Sequence, residues 1–342
     1  MFQNKYQCER KFEMKRYFLL SSILCLMLCF GVAVPAAYAD STTVSYETGE
    51  ISTEYTISEP YEYVVKPNTA EWIKLTSTEE KVKATQIPEE ILSKMTTKAL
   101  VETVLKYPLL PNMYAFNTQQ QGFDAVLSSF NGLQELLKRS DASLEIQQYQ
   151  NKLSIFKTTD SVSIAQGVYT ETLLEGINSK KLINSVVTPF AVISSVKTPK
   201  GTSVETYKGL TWSDHGLTAS EASALQTQMV AAYPNTTVLS SQSPSYNCHS
   251  YAWYSQSSSN AHWMNSASSY RTDGSYTSGI ARVGSKIDYG AGDHSGIVTF
   301  IGQGGTGQDI DVKSKWGIYG VFSHNFADCP YTMGNYSCTF WN

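Results

Sequence analysis

The feature that most limits the fold is a change of period partway along the chain. From Pro88 to about residue 186, apolar residues recur every three or four positions; from His294 onward they alternate. Pro88 suits a first helical turn, and Glu89 and Glu90 complement the positive end of that helix. Thr96 or Thr97 is placed to cap a helix whose Leu100, Val101, Val104 and Leu105 share one face until Pro108 stops it. Phe123, Val126, Leu127, Phe130, Leu133, Leu136 and Leu137 repeat the spacing over one longer helix, which residues 144–158 and 163–186 continue. Later, Ile297, Thr299 and Ile301 point one way along a strand, and His294, Gly296, Val298 and Phe300 the other. Helices first and an antiparallel meander afterwards define an α+β chain.

Composition shifts divide the rest. Residues 1–39 read as a signal peptide: Lys15 and Arg16 precede an apolar run from Tyr17 to Val34, and Ala37-Tyr38-Ala39 is a cleavage site of the A-x-A type. Met14 offers a second start that leaves Lys15-Arg16 as a compact basic region. Residues 40–80 alternate Thr, Ser, Glu, Tyr and Val and read as an extended lead-in with one or two short strands. Residues 81–190 are the helical domain, and 191–217, with Pro199 and several glycines, the linker into 218–342. Thr218-Ala219-Ser220-Glu221 is a capping box that opens a helix to Tyr233 with Leu225 and Met229 inward. The part from about residue 205 is expected to fold without the helices.

Removing residues 1–39 takes five basic and two acidic residues from the 26 and 30 of the full chain, leaving a net charge of −7. An acidic chain without basic clusters argues against nucleic acid as a partner. After residue 39 no apolar run reaches the roughly 18 residues a spanning helix needs, so no stable membrane span is expected once the signal is cleaved.

Three cysteines follow the signal. Cys329 and Cys338 flank a loop that suits a hairpin, and in an exported chain the pair is expected to form a disulfide. Cys248 is then the odd thiol, the pattern of a cysteine kept for chemistry. It stands in Tyr246-Asn247-Cys248-His249-Ser250-Tyr251-Ala252-Trp253-Tyr254, after the turn-rich Ser240–Ser245. Asn247 can cap a helix starting at Cys248, and a thiol in a first helical turn meets unpaired N–H groups that favour the thiolate. A pKa below the roughly 8.5 of a free cysteine is therefore expected. Forty-six residues on, His294 opens a strand. A cysteine on a helix start and a histidine on a later strand are the two parts a thiol hydrolase needs.

Asn247-Cys248-His249-Ser250-Tyr251, the strand His294-Ser295-Gly296-Ile297-Val298 and the next strand ending Ser314-Lys315-Trp316-Gly317 resemble a papain-like cysteine hydrolase domain of the CHAP or NlpC type, over about residues 205–342. More narrowly, the chain resembles exported proteins of Gram-positive bacteria that share the Asn-Cys-His-Ser-Tyr-Ala-Trp stretch. The resemblance implies a nucleophile helix packed on an antiparallel sheet, a secreted or wall-associated protein, and cleavage of peptide or amide bonds in peptidoglycan. Asn-Cys-His-Ser departs from the usual Asp-Cys-Ser-Gly, and no carboxylate stands at the third catalytic position, where Ser314 and Lys315 are the candidates.

Cys248 is thus the expected nucleophile and His294 its base. Tyr246, Asn247, Trp253 and Trp316 are candidates for substrate binding; Tyr246, Trp253, Tyr254 and Trp263 suit a groove or a core equally well. His249 adjoins Cys248, but neighbours along a helix diverge, so packing is expected of it. His215, His249, His262, His294 and His324 show no zinc-type spacing, and neither metal nor cofactor is expected. The competing class is a secreted binding or adhesion module on a hydrolase-like scaffold, without catalysis.

Overall fold

The computed structural model describes residues 42–43, 54–156, 159–179, 191–290, 292–303, 309–333 and 337–342. The segment 1–39, read as a signal peptide, lies outside them. Strands β1 (Thr42–Thr43) and β2 (Glu54–Tyr55) pair antiparallel in the lead-in. Helices α1 (Ala70–Ile73), α2 (Thr78–Ala84), α3 (Glu89–Leu92), α4 (Thr97–Leu105), α5 (Gln119–Ser129), α6 (Asn131–Leu136), α7 (Ala142–Phe156) and α8 (Ser161–Ser179) follow. Thr96 caps α4 through the Ala99 amide, and the Leu100, Val101, Val104 and Leu105 face is buried. The longer helix expected across 123–137 is broken. Phe130 is extended (φ −123°, ψ 113°), stacked on Tyr107 at 3.8 Å, while Asn131 bonds the backbone of Ile87. One tertiary contact and one side-chain bridge outweigh helical periodicity there.

The linker segment is itself structured. β3 (Val192–Lys197) and β4 (Ser203–Lys208) form a hairpin in register Val196↔Val204, turned by Gly201 at φ +88°. Helix α9 (Ala219–Ala232) starts in the expected Thr218–Glu221 capping box, with Leu225 and Met229 buried. After it come β5 (Thr237–Val238), β6 (His262–Trp263), α10 (Ser268–Thr272), β7 (Ser278–Gly279), β8 (Lys286–Tyr289), β9 (His294–Ile301), β10 (Ile310–Lys315), β11 (Val321–Asn325) and β12 (Cys338–Trp341). A seven-stranded sheet runs β5-β11-β10-β9-β8-β12-β7, so β8 to β11 are a meander and β12 returns to pair with β8. A second sheet holds β3-β4-β6. Helices beside antiparallel sheets make the fold α+β.

The change from helices to strands is not a change of core. One buried cluster contains Trp72, Leu100 and Phe130 together with Tyr233, Trp316 and Phe322. Lys81 of α2 forms a buried ion pair with Asp328, its ammonium 4.6 Å from the Tyr233 ring centroid. Trp72 Nε1 donates to Ala232 O (3.0 Å), Thr78 Oγ1 to Cys329 O (2.7 Å) and Tyr319 OH to Pro111 O (2.7 Å). Gly317, at φ +52°, lets the 316–318 turn press against the Tyr114 carbonyl, with which any Cβ there would collide. Residues from about 205, expected to fold without the helices, share this core with them. Without the helices the strand-rich part loses the cover of Trp72, Leu100 and Phe130, and Asp328 loses its cation.

The expected Cys329–Cys338 disulfide is not formed; Cys248, Cys329 and Cys338 are all buried thiols. Cys329 lies in the turn after β11, its thiol turned to Phe326 O at 3.6 Å. Cys338 sits in β12 opposite Tyr289, held by the ladder to β8. The hairpin-like spacing misled because residues 329 and 338 do not face each other across one hairpin: the second strand pairs with β8, not with β11.

Candidate active site

Asn247 caps the cysteine helix as its sequence position suggests. Its Oδ1 accepts from the amides of Ser250 and Met264, both at 3.2 Å, and its Nδ2 donates to Met264 O (2.7 Å) and to Asn117 Oδ1 (2.8 Å). Cys248 is the first helical residue. Over Ser250–Tyr254 the helix widens into a π turn, closed by Ser255 N donating to Ser250 O at 2.9 Å. Single π turns recur at functional sites because the extra residue re-aims the side chains around it. Here it brings Trp253 Nε1 to Ser295 Oγ at 2.8 Å, fixing the helix to β9.

Ser295 gathers a buried polar chain. It also receives His249 Nδ1 at 2.8 Å and donates to Asp288 Oδ1 at 2.7 Å, and Asp288 is paired with Arg271. His249 therefore packs and bonds, with burial and Arg271 pulling its pKa down to about 4. Asp288 is pushed up by burial, against the pull of Arg271.

His294 is the first residue of β9, opposite Tyr289. It is fully buried, and its imidazole lies flat on Tyr331, centroids 3.4 Å apart and planes 7° from parallel. Neither ring nitrogen has a hydrogen-bond partner among the described residues. Burial, and then the neighbouring His324 and His249, hold its pKa well below the usual histidine value.

The backbone amides of Ser295, the residue after His294, and of His249 act on the Cys248 thiol to lower its pKa. Its thiol donates to Asn117 Oδ1 at 3.4 Å, and Asn117 Nδ2 donates to Asp293 O at 3.3 Å, the residue before His294. The expected low thiol pKa is overturned. The two amides and the Lys315 charge favour the thiolate, but desolvation is larger and pushes the thiol up to about 12. The helix start is as expected; its burial is what the sequence did not disclose. In this state the site holds a neutral thiol and a neutral imidazole.

Neither third-position candidate orients His294. Ser314 Oγ bonds His324 Nε2 (2.8 Å) and accepts from Trp316 Nε1 (2.9 Å). Lys315 faces the other side of β10, donating to the carbonyls of Ser243 (3.0 Å), Gly317 (2.7 Å) and Tyr319 (2.7 Å), with Tyr246 under its ammonium at 4.8 Å. Burial pulls it down to about 7. The substrate-binding candidates are also interior. Trp316 is fully buried and stacked on Phe322 at 4.0 Å, Trp253 is tied to Ser295, and Tyr246 packs beneath Lys315. Asn247 is buried as a cap. All four are buried, because the strand-rich part packs its aromatics against its own sheet and the helices.

Two residues at the site carried no signal in the sequence. Asn117 lies 131 positions before the thiol it contacts, in the helical part. Tyr331 sits inside the loop read as a disulfide hairpin, and its hydroxyl donates to Ala115 O. A cleft of about 190 Å³ borders the site; its wall includes Asn117, Glu171, Glu175, Asp214, His215 and Trp263. Among the described residues no group of three His, Cys, Asp or Glu side chains is arranged to hold a metal ion, and no helix is long and apolar enough to cross a membrane. Comparison with protein-family models, curated proteins and solved structures finds no match to this chain.

Proposed function

We propose that the chain is an exported thiol hydrolase of papain-like architecture that cuts peptide or amide bonds through Cys248 and His294. The observation that carries the reading is the meeting of the two elements: a thiol on an Asn-capped first helical turn, joined through Asn117 to Asp293, the residue before His294. In the reaction His294 accepts the thiol proton as the sulfur attacks the carbonyl carbon. The oxyanion collapses to a thioester while His294 returns the proton to the departing amine, and water attacking with His294 as base releases the acid and restores the thiol. The Ser295 and His249 amides favour the thiolate that forms as the proton leaves sulfur. Peptidoglycan or a peptide is the substrate class, on the resemblance of the Asn-Cys-His-Ser-Tyr and His-Ser-Gly-Ile-Val stretches, and a secreted or wall-associated location goes with it.

The second reading, a binding or adhesion module that does no chemistry, is favoured by an imidazole with no hydrogen-bond partner among the described residues and by the burial of the thiol. Incubating the protein with bacterial wall preparations and short peptides separates the two. New amino groups released by the wild type and not by Cys248→Ser support the hydrolase. Tight binding by both proteins, with no release by either, supports the module.

A further inference from the structure

We infer that Asn117 is a positioning residue that holds the Cys248 proton on sulfur, so that residues 115–118 of the helical part keep the site at rest for as long as Asn117 stays against the thiol. The inference rests on the hydrolase reading for its consequence, but not for its geometry.

The orientation of the Asn117 amide is set by Asn247. Asn247 spends Oδ1 on the Ser250 and Met264 amides, so its Nδ2 must donate, and it donates to Met264 O and Asn117 Oδ1. Asn117 thus presents an acceptor to the sulfur, while its own Nδ2 is used on Asp293 O. An acceptor beside sulfur favours S–H and opposes a thiolate, since two lone-pair-bearing atoms would then face each other at 3.4 Å. Turning the amide over to offer N–H would set Nδ2 against the Asn247 Nδ2, two donors with no acceptor between them. The acceptor is therefore locked for as long as Asn117 is in place.

The other groups around the sulfur act in both directions. The Ser295 amide on β9, the His249 amide on the cysteine's own helix and the Lys315 ammonium on β10 favour the thiolate; Asp288 on β8 opposes it. His294 and Tyr331 flank the site, stacked on each other and uncharged. Withdrawing Asn117 removes an acceptor and leaves the donors. Asn117 also borders the 190 Å³ cleft, so its loop already stands against open space on one side.

The test is the pH profile of Cys248 alkylation by iodoacetamide on the full chain, read by mass spectrometry of the Cys248 peptide. In Asn117→Ala the midpoint of the profile should fall by about one pH unit or more, so that the rate at pH 8 rises about tenfold. Asn117→Asp keeps an acceptor and adds charge, so its midpoint should equal or exceed that of the wild type. A rate that rises by the same factor at every pH, with an unmoved midpoint, reports mere opening of the packing and overturns the inference. If Asn117→Ala does not unfold cooperatively, Asn117→Ser carries the same expectation, because a hydroxyl can donate to the sulfur. A lowered midpoint with no cleavage by any variant leaves the assignment of Asn117 standing and removes the hydrolase reading. Cleavage by the wild type with an unmoved midpoint does the reverse.

Discussion

Cys248 and Cys329 are both buried, and burial pushes both thiols up to about 12. What differs is the acceptor that faces each sulfur. Cys329 lies by the carbonyl of Phe326, three residues back along a chain already fixed by the sheet. Cys248 meets the side chain of Asn117, carried by a loop of another part of the molecule. A local backbone acceptor cannot leave without unfolding the turn, whereas a remote side-chain acceptor can. Two cysteines with the same resting pKa are thus unequal in what a modest movement can do to them. The sequence separates the two on other grounds, Cys248 as the odd thiol and Cys329 as a disulfide partner, and says nothing of either acceptor.

The largest way to break the comparison is to loosen the Cys329 region. Lys81→Ala leaves Asp328 buried without its cation, and urea unfolding should report a loss of about 3–5 kcal/mol. The Cys329 peptide should then be alkylated in native buffer. A loss below about 1 kcal/mol would mean that water reaches Asp328 and that the two parts are less tightly joined than their shared core indicates.

Next in size is the thiol contrast itself. In the wild type, native-state alkylation of Cys248 should run about tenfold or more ahead of that of Cys329, because local opening frees the one and only global unfolding the other. Equal rates that both track urea stability would place both cysteines in the same cooperative unit.

A smaller effect is expected at His294. Its two buried nitrogens are unsatisfied, so His294→Leu should be neutral or stabilising by about 1 kcal/mol at pH 7 while removing any cleavage. The pH dependence has a definite sign. A histidine whose folded pKa is depressed contributes stability that is complete above the unfolded value near 6.5 and is lost as pH falls, because the unfolded chain takes the proton first. His249 and His324, at about 4, and His294 all pull in this direction. The wild-type melting temperature should therefore drop between pH 6.5 and 4, and His294→Leu should drop less. Parallel melting curves for the two proteins would show that His294 is protonated or wet in the fold.

Smallest is Ser314→Ala. It leaves His324 Nε2 and Trp316 Nε1 without their partner and should cost about 1–2 kcal/mol by thermal unfolding. The alkylation midpoint of Cys248 should stay where it is. Movement of that midpoint would restore Ser314 as a residue that acts on the site.

Much of the local structure was legible because its causes are local. Thr96, the Thr218–Glu221 box and Asn247 announce helix starts within four residues of the amides they cap, and the alternation from His294 to Ile301 is a property of one strand. The misses have long-range causes. Phe130 breaks a periodic run for the sake of Tyr107, and the 192–208 hairpin hides in a stretch read for its prolines and glycines. At the site, Cys248 and His294 were visible as types in order. Asn117 and Tyr331 reach them only through the shared core, and burial reversed the thiol pKa that the helix start alone would give.

The Lys81–Asp328 pair spans 247 positions, and this bears on the order of synthesis. The helices leave the ribosome first, carrying a lysine whose native surroundings are aromatic and whose counter-charge has not yet been made. Until Asp328 and the last strands arrive, burying that ammonium costs more than leaving it in water, so the early helices are held short of their final packing. The molecule should therefore complete its fold late, with Trp72 and the helix faces left unpacked until the partners of Lys81 and Trp72 are in place.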